Sequence, residues 1–111
     1  MTKQVVNALV MIVGLVCAAT TARALDTVQA LLSECEQKTG TFDTGICRGY
    51  IAGISDWQMA DRFICPKQKR ITYGASQQFF INWAKKHPER WGEDGIDGVV
   101  AALQEAFPCK K

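Results

Sequence analysis

The sequence predicts an all-α fold: a small four-helix bundle-like domain closed by two disulfides. Three observations carry that expectation. Apolar residues recur at intervals of three and four in four separate stretches, and nowhere do they alternate over a strand-length run. The connectors between those stretches are short and polar, with no linker, repeat or low-complexity segment. An even set of cysteines, Cys35, Cys47, Cys65 and Cys109, follows an N-terminal stretch laid out like a secretory signal.

That N-terminal stretch, residues 1–24, has Lys3 near its start, an apolar run from Val5 to Ala19 and an A-x-A site at Ala22-Arg23-Ala24. The run is shorter than the ~20 residues of a spanning helix, and Thr20, Thr21 and Arg23 interrupt it. The expectation is export to the periplasm with cleavage after Ala24, leaving a helical domain over 25–111 and no membrane attachment. Of 13 Lys and Arg, Lys3 and Arg23 lie in the signal, which leaves 11 against 11 Asp and Glu, all beyond residue 24. So balanced a domain offers no electrostatic footprint for nucleic acid or anionic membranes. Lys67, Lys69 and Arg70 form a local basic cluster that reads as a solvated loop.

The first helix is expected from about Thr27 to Gln37, with Leu25, Val28, Leu31, Leu32 and Cys35 on one stripe and Asp26 at its N-cap. The second is expected from about Ile46 to Phe63, with Tyr50, Ile54 and Trp57 inward. Its Gly49 and Gly53 each cost roughly 1 kcal/mol against alanine. Their place at the border of that face suggests that a neighbouring backbone approaches them closely. The third helix follows Thr72 as N-cap, presents Phe79, Phe80 and Trp83, and stops at Pro88. The fourth carries Ile96, Val99, Val100, Leu103 and Phe107 and ends at Pro108.

Up-and-down helices of this length constrain the cysteine pairing. Cys35 ends the first helix and Cys47 begins the second, whereas Cys65 follows the second and Cys109 follows the fourth. At 1.5 Å per residue the second helix separates those two ends by roughly 25 Å, and a disulfide needs Cα atoms within about 7 Å. Pairing of Cys35 with Cys47 and of Cys65 with Cys109 follows. In a domain with so modest a core, such closures are worth very roughly 3 and 4 kcal/mol in the loop-entropy picture.

A search for chemistry finds no constellation. There is no G-x-S-x-G, phosphate loop or dinucleotide fingerprint, no zinc-spaced cysteine pair, and a single histidine, His87, placed before Pro88 at a helix end. Asp56 and Asp61 do not share a helical face, and Glu93, Asp94 and Asp97 stand where a helix dipole favours acids. The expectation is a non-enzyme without cofactor or metal. What stands out is "KKHPERWGEDG", in which Trp91 beside Arg90 is the composition of an interface anchor, or of an indole folded back over the bundle end.

Cys35 in the first helix, "CRGYIAGISDW" from Cys47, "CP" at Cys65, a Thr-capped helix running into "HPER" at His87, and "ALQEAFPC" ending at Cys109 together resemble the Rap/Tai family of immunity proteins of type VI secretion. The resemblance spans nearly all of 25–111. It implies a small, helical, disulfide-bonded periplasmic protein, often a homodimer, that binds and blocks a peptidoglycan amidase effector without a cofactor. The turn bearing His87, Glu89, Arg90, Trp91 and Glu93 is then the expected partner-binding surface, with Pro88 ending one helix and Gly92 and Gly95 easing the reversal. The competing readings are a small acid-activated periplasmic chaperone, which two disulfides and balanced charge disfavour, and an orphan binding protein.

Overall fold

The computed structural model describes residues 27–68 and 70–110. The expected signal over 1–24 and the expected cap Asp26 lie outside the described residues. Among the described residues four α-helices follow one another: α1 (Val28–Cys35), α2 (Phe42–Ala60), α3 (Tyr73–Lys86) and α4 (Gly95–Ala106), with a single 3-10 turn at Pro88–Arg90. None of these helices is long and apolar enough to cross a membrane.

α1 is capped by Thr27, whose Oγ1 accepts from the Ala30 N–H at 3.1 Å, and buries Val28, Leu31, Leu32 and Cys35. α2 begins four residues before the sequence-based expectation. Gly40, at φ 87°, turns the chain, Thr41 caps the helix and Asp43 supplies an acid in its first turn. The stretch "TFDTG" is therefore cap and first turn, and Cys47 sits in the second turn. At its far end the helix stops at Ala60, short of Phe63. Arg62 takes the left-handed conformation at φ 58°, the Phe63 N–H bonds the Gln58 carbonyl at 2.8 Å and the Arg62 N–H the Met59 carbonyl at 3.3 Å. This is a Schellman closure with arginine where glycine is commoner.

The buried face of α2 also differs from the expected one. Cys47, Ile51, Ile54, Ser55 and Gln58 point inward, Tyr50 is half-buried, and Trp57 is 46% exposed, stacked on Phe63 with ring centroids 5.2 Å apart. The cause is covalent. The Cys35–Cys47 bond, with Cα atoms 5.1 Å apart, fixes the Cys47 side toward α1, and the stripe that continues from it at helical spacing is the observed one.

α2 and α3 run antiparallel, with Arg48 against Gln77 at one end and Asp56 against Tyr73 at the other. Between them two buried serines, Ser55 and Ser76, meet with hydroxyls 3.2 Å apart. Gly49 and Gly53 are exposed, and a Cβ on either would meet nothing within 4 Å, so the close-approach expectation is corrected. The glycine that does admit a neighbour is Gly98 in α4, where a Cβ would lie 2.5 Å from Val28 Cγ2 and 3.3 Å from the Trp83 ring.

α3 starts at the Thr72 cap, whose Oγ1 accepts from the Ala75 N–H at 3.2 Å. It buries Ser76, Phe80, Trp83 and Ala84 and ends before Pro88, which cannot continue it. α4 returns antiparallel to α3 and buries Gly95, Gly98, Val99, Ala102 and Leu103. Two members of the expected stripes face outward, Phe79 at 39% and Ile96 at 44% exposure. The second disulfide, Cys65–Cys109, has Cα atoms 4.8 Å apart, and the Cys65 N–H bonds the Phe107 carbonyl at 2.9 Å beside it. Both expected pairings are present, at opposite ends of α2.

Candidate functional site

The turn from His87 to Glu93 joins the end of α3 to the start of α4, and the fold uses most of its polar groups internally. Pro88 opens a single 3-10 turn whose Trp91 N–H closes on the Pro88 carbonyl at 3.3 Å. The backbone beyond it serves α1. The Glu93 carbonyl accepts from the Val28 N–H at 2.9 Å and the Trp91 carbonyl from the Gln29 N–H at 3.1 Å. Two amides of the first turn of α1, which no residue of that helix can satisfy, are satisfied by this turn.

Of the two sequence-based readings for Trp91, the folded-back one describes its side chain. The indole is half-buried against the core, and its Nε1–H donates to the Ala84 carbonyl at 2.7 Å. The turn is thus nailed to the end of α3. Arg90 lies with its guanidinium 4.8 Å from the centroid of the Trp83 ring and donates through Nε and Nη2 to the Glu93 carboxylate at 2.8–3.0 Å. His87 stacks on the other ring contact of Trp83, centroids 4.9 Å apart, with Nδ1 2.9 Å from Glu89 Oε1 and Nε2 3.9 Å from Glu105 Oε2. Both ring nitrogens of this helix-end histidine thus face carboxylates.

These pairings set the local electrostatics. Hydrogen bonding to His87 holds the Glu89 carboxyl below its ordinary range, and hydrogen bonding to Arg90 does the same for Glu93, which in turn raises the Arg90 guanidinium. The rim that remains outward is acidic: the Glu89 and Glu93 side chains are 63% and 43% exposed, with Asp94 and Asp97 exposed beside them. All five expected partner-binding residues, His87, Glu89, Arg90, Trp91 and Glu93, are brought together, as a rigid knuckle rather than as a free loop. Neither Gly92 nor Gly95 takes a positive φ, so the reversal is made by the 3-10 turn instead. Among the described residues no group of three or more His, Cys, Asp or Glu is placed to hold a metal ion.

Comparison with known proteins returns one family. The model of the Rap1a immunity proteins matches residues 27–109, from the cap of α1 to the last disulfide cysteine. Searches among curated proteins and among solved structures return no match. A match over that much of the chain, on a fold of four helices with both cysteine pairs joined, leads to one conclusion: the chain belongs to the Rap1a immunity protein family.

Proposed function

We propose that this protein acts in the periplasm as an immunity protein, binding a peptidoglycan amidase effector of type VI secretion and occluding its active site with the His87–Glu93 knuckle. The observation that carries the reading is the family match over residues 27–109. Two disulfides suit an oxidising compartment such as the periplasm.

A steric inhibitor needs a protrusion that is already ordered, because every side chain frozen on association costs affinity. The knuckle meets that need. Trp91 locks it to α3, its carbonyls lock it to α1, and the Arg90–Glu93 pair lies across Trp83. The contact groups it offers are the outward carboxylates of Glu89 and Glu93, acceptors for donors around a cleft, while Trp91 acts from beneath as the residue that holds the shape.

The test pairs the purified protein with a Cys/His peptidoglycan amidase effector of type VI secretion and measures muropeptide release together with calorimetric affinity. Stoichiometric inhibition is expected. The double reversal Glu89→Lys, Glu93→Lys should weaken binding by about 2 kcal/mol or more at unchanged helix content, as for other interface hot spots. Absence of inhibition would overturn the amidase reading, and inhibition untouched by the double reversal would remove the knuckle from the interface.

A further inference from the structure

The opposite end of the α3–α4 pair holds a second surface, which the amidase reading does not require. Between the Cys65–Cys109 disulfide, the start of α3 and the end of α4 lies an open groove of about 770 Å³. Its floor is apolar, with Phe79 and Phe107 in edge contact at 5.0 Å and Ile71 and Pro66 alongside. Its rim is basic: Lys67, Arg70 and Lys110 line it, with no aspartate or glutamate. None of these three cations is in an ion pair among the described residues, although the protein pairs Lys85 and Arg90 elsewhere.

The loop that forms one wall adds a third observation. Its residues Lys67, Gln68 and Arg70 are exposed and lie outside any helix, and the main-chain groups of Lys67, Gln68, Arg70 and Ile71 make no hydrogen bond with another described residue. It is nonetheless anchored at both ends, by the disulfide and the Cys65–Phe107 bond on one side and the Thr72 cap on the other. Main-chain groups that no described residue engages leave this tethered loop open to hydrogen bonds from a ligand, while the apolar floor offers cover for large side chains.

We propose that this groove docks an extended acidic segment bearing large apolar side chains, presented by a partner protein. The carboxylates of such a segment would face Lys67, Arg70 and Lys110, its apolar side chains would cover Phe79 and Phe107, and its backbone would lie within reach of the main-chain groups of Lys67, Gln68, Arg70 and Ile71. Complementary charge selects the sign of the segment and the floor selects its bulk.

The full-length secreted protein, disulfides intact, is titrated by fluorescence polarisation against a labelled extended peptide in which glutamate alternates with leucine and phenylalanine. Two counterparts carry lysine for glutamate and serine for the apolar residues. Binding of the acidic apolar peptide at least about tenfold tighter than either counterpart, weakened by salt, is the expected result. The double variant Lys67→Glu, Arg70→Glu changes only exposed side chains and should lose about tenfold or more with helix content unchanged; Phe79→Gln should lose binding as well. Equal binding of all three peptides, or affinity unaltered by the double variant, overturns the proposal. So does stronger displacement by oleate than by unlabelled peptide, which would assign the groove to a fatty-acid anion, or concentration-dependent self-association abolished by the same charge reversals, which would assign it to a second copy. Effector inhibition measured in parallel separates the two readings, since the charge-reversed variant should still inhibit an amidase through the knuckle.

Discussion

Replacing Gly98 by alanine, and separately Gly49 and Gly53 by alanine, applies one chemical change at three helical positions and should give opposite signs. In every case alanine gains roughly 1 kcal/mol of helix propensity. At Gly98 the added methyl would stand 2.5 Å from Val28 Cγ2, 3.3 Å from the Trp83 ring and 3.5 Å from Phe80. Val28 is fully buried and Trp83 is 5% exposed. Val28 is also β-branched in a helix, where one rotamer dominates, so its methyl cannot swing aside cheaply. Overpacking of this kind costs typically 1–3 kcal/mol, so Gly98→Ala should be net destabilising by about 1 kcal/mol, moving the thermal midpoint down by about 4–8 °C for a domain of this size. At Gly49 and Gly53 the methyl enters open space, so each change should stabilise by about 0.5–1 kcal/mol. Urea denaturation followed by circular dichroism, with both disulfides oxidised, gives the three midpoints, and an unchanged slope identifies a pure stability effect. A Gly98→Ala protein as stable as its parent would refute the packing argument. Destabilisation by Gly53→Ala would refute the placement of that face in solvent.

Three further expectations rest on single features. Thr72→Ala removes the acceptor for the Ala75 N–H and should cost about 1 kcal/mol in the same assay, while Thr72→Ser should restore most of it. Non-reducing peptide mapping should recover Cys35 joined to Cys47 and Cys65 joined to Cys109; replacing the second pair by serine should destabilise more than replacing the first, because it closes the longer loop. Glu89 and Glu93 have folded-state pKa values below their ordinary 4.5, so their contribution to stability is present above that value and lost as pH falls through the lowered one. Side-chain carboxyl resonances should therefore titrate with midpoints under 4.5, and Arg90→Gln should return Glu93 toward its ordinary value while leaving Glu89 depressed by His87. A Glu93 midpoint unmoved by that substitution would exclude the Arg90 pair as the cause.

The helical class, the four segments, the Thr72 start and Pro88 stop of α3, and the cysteine pairing could all be read from the sequence, because each depends on local periodicity, on a cap, or on how far a helix can carry two residues apart. The position of the candidate knuckle could be read for the same reason, since His87 to Glu93 is one uninterrupted turn. Its character could not. Whether Trp91 projects or folds back depends on the Ala84 carbonyl and on the two amides of α1 that the turn must satisfy, partners remote in the chain. The inward face of α2 was likewise a tertiary matter: hydrophobicity pointed to Tyr50 and Trp57, but the bond from Cys47 to Cys35 turned Ile51, Ser55 and Gln58 inward and left Trp57 to Phe63. The same holds for the glycines, where spacing drew notice to Gly49 and Gly53 while contact with Val28 and Trp83 left no room for a side chain at Gly98. The groove was legible only in part: Lys67 and Arg70 of its rim stood out as a basic cluster, which read as a solvated loop, whereas its apolar floor joins Pro66 and Ile71 to Phe79 and Phe107, residues far apart in the chain that only packing brings together. Composition and spacing report what a residue can do along its own helix; which neighbour it meets is decided only when the helices pack.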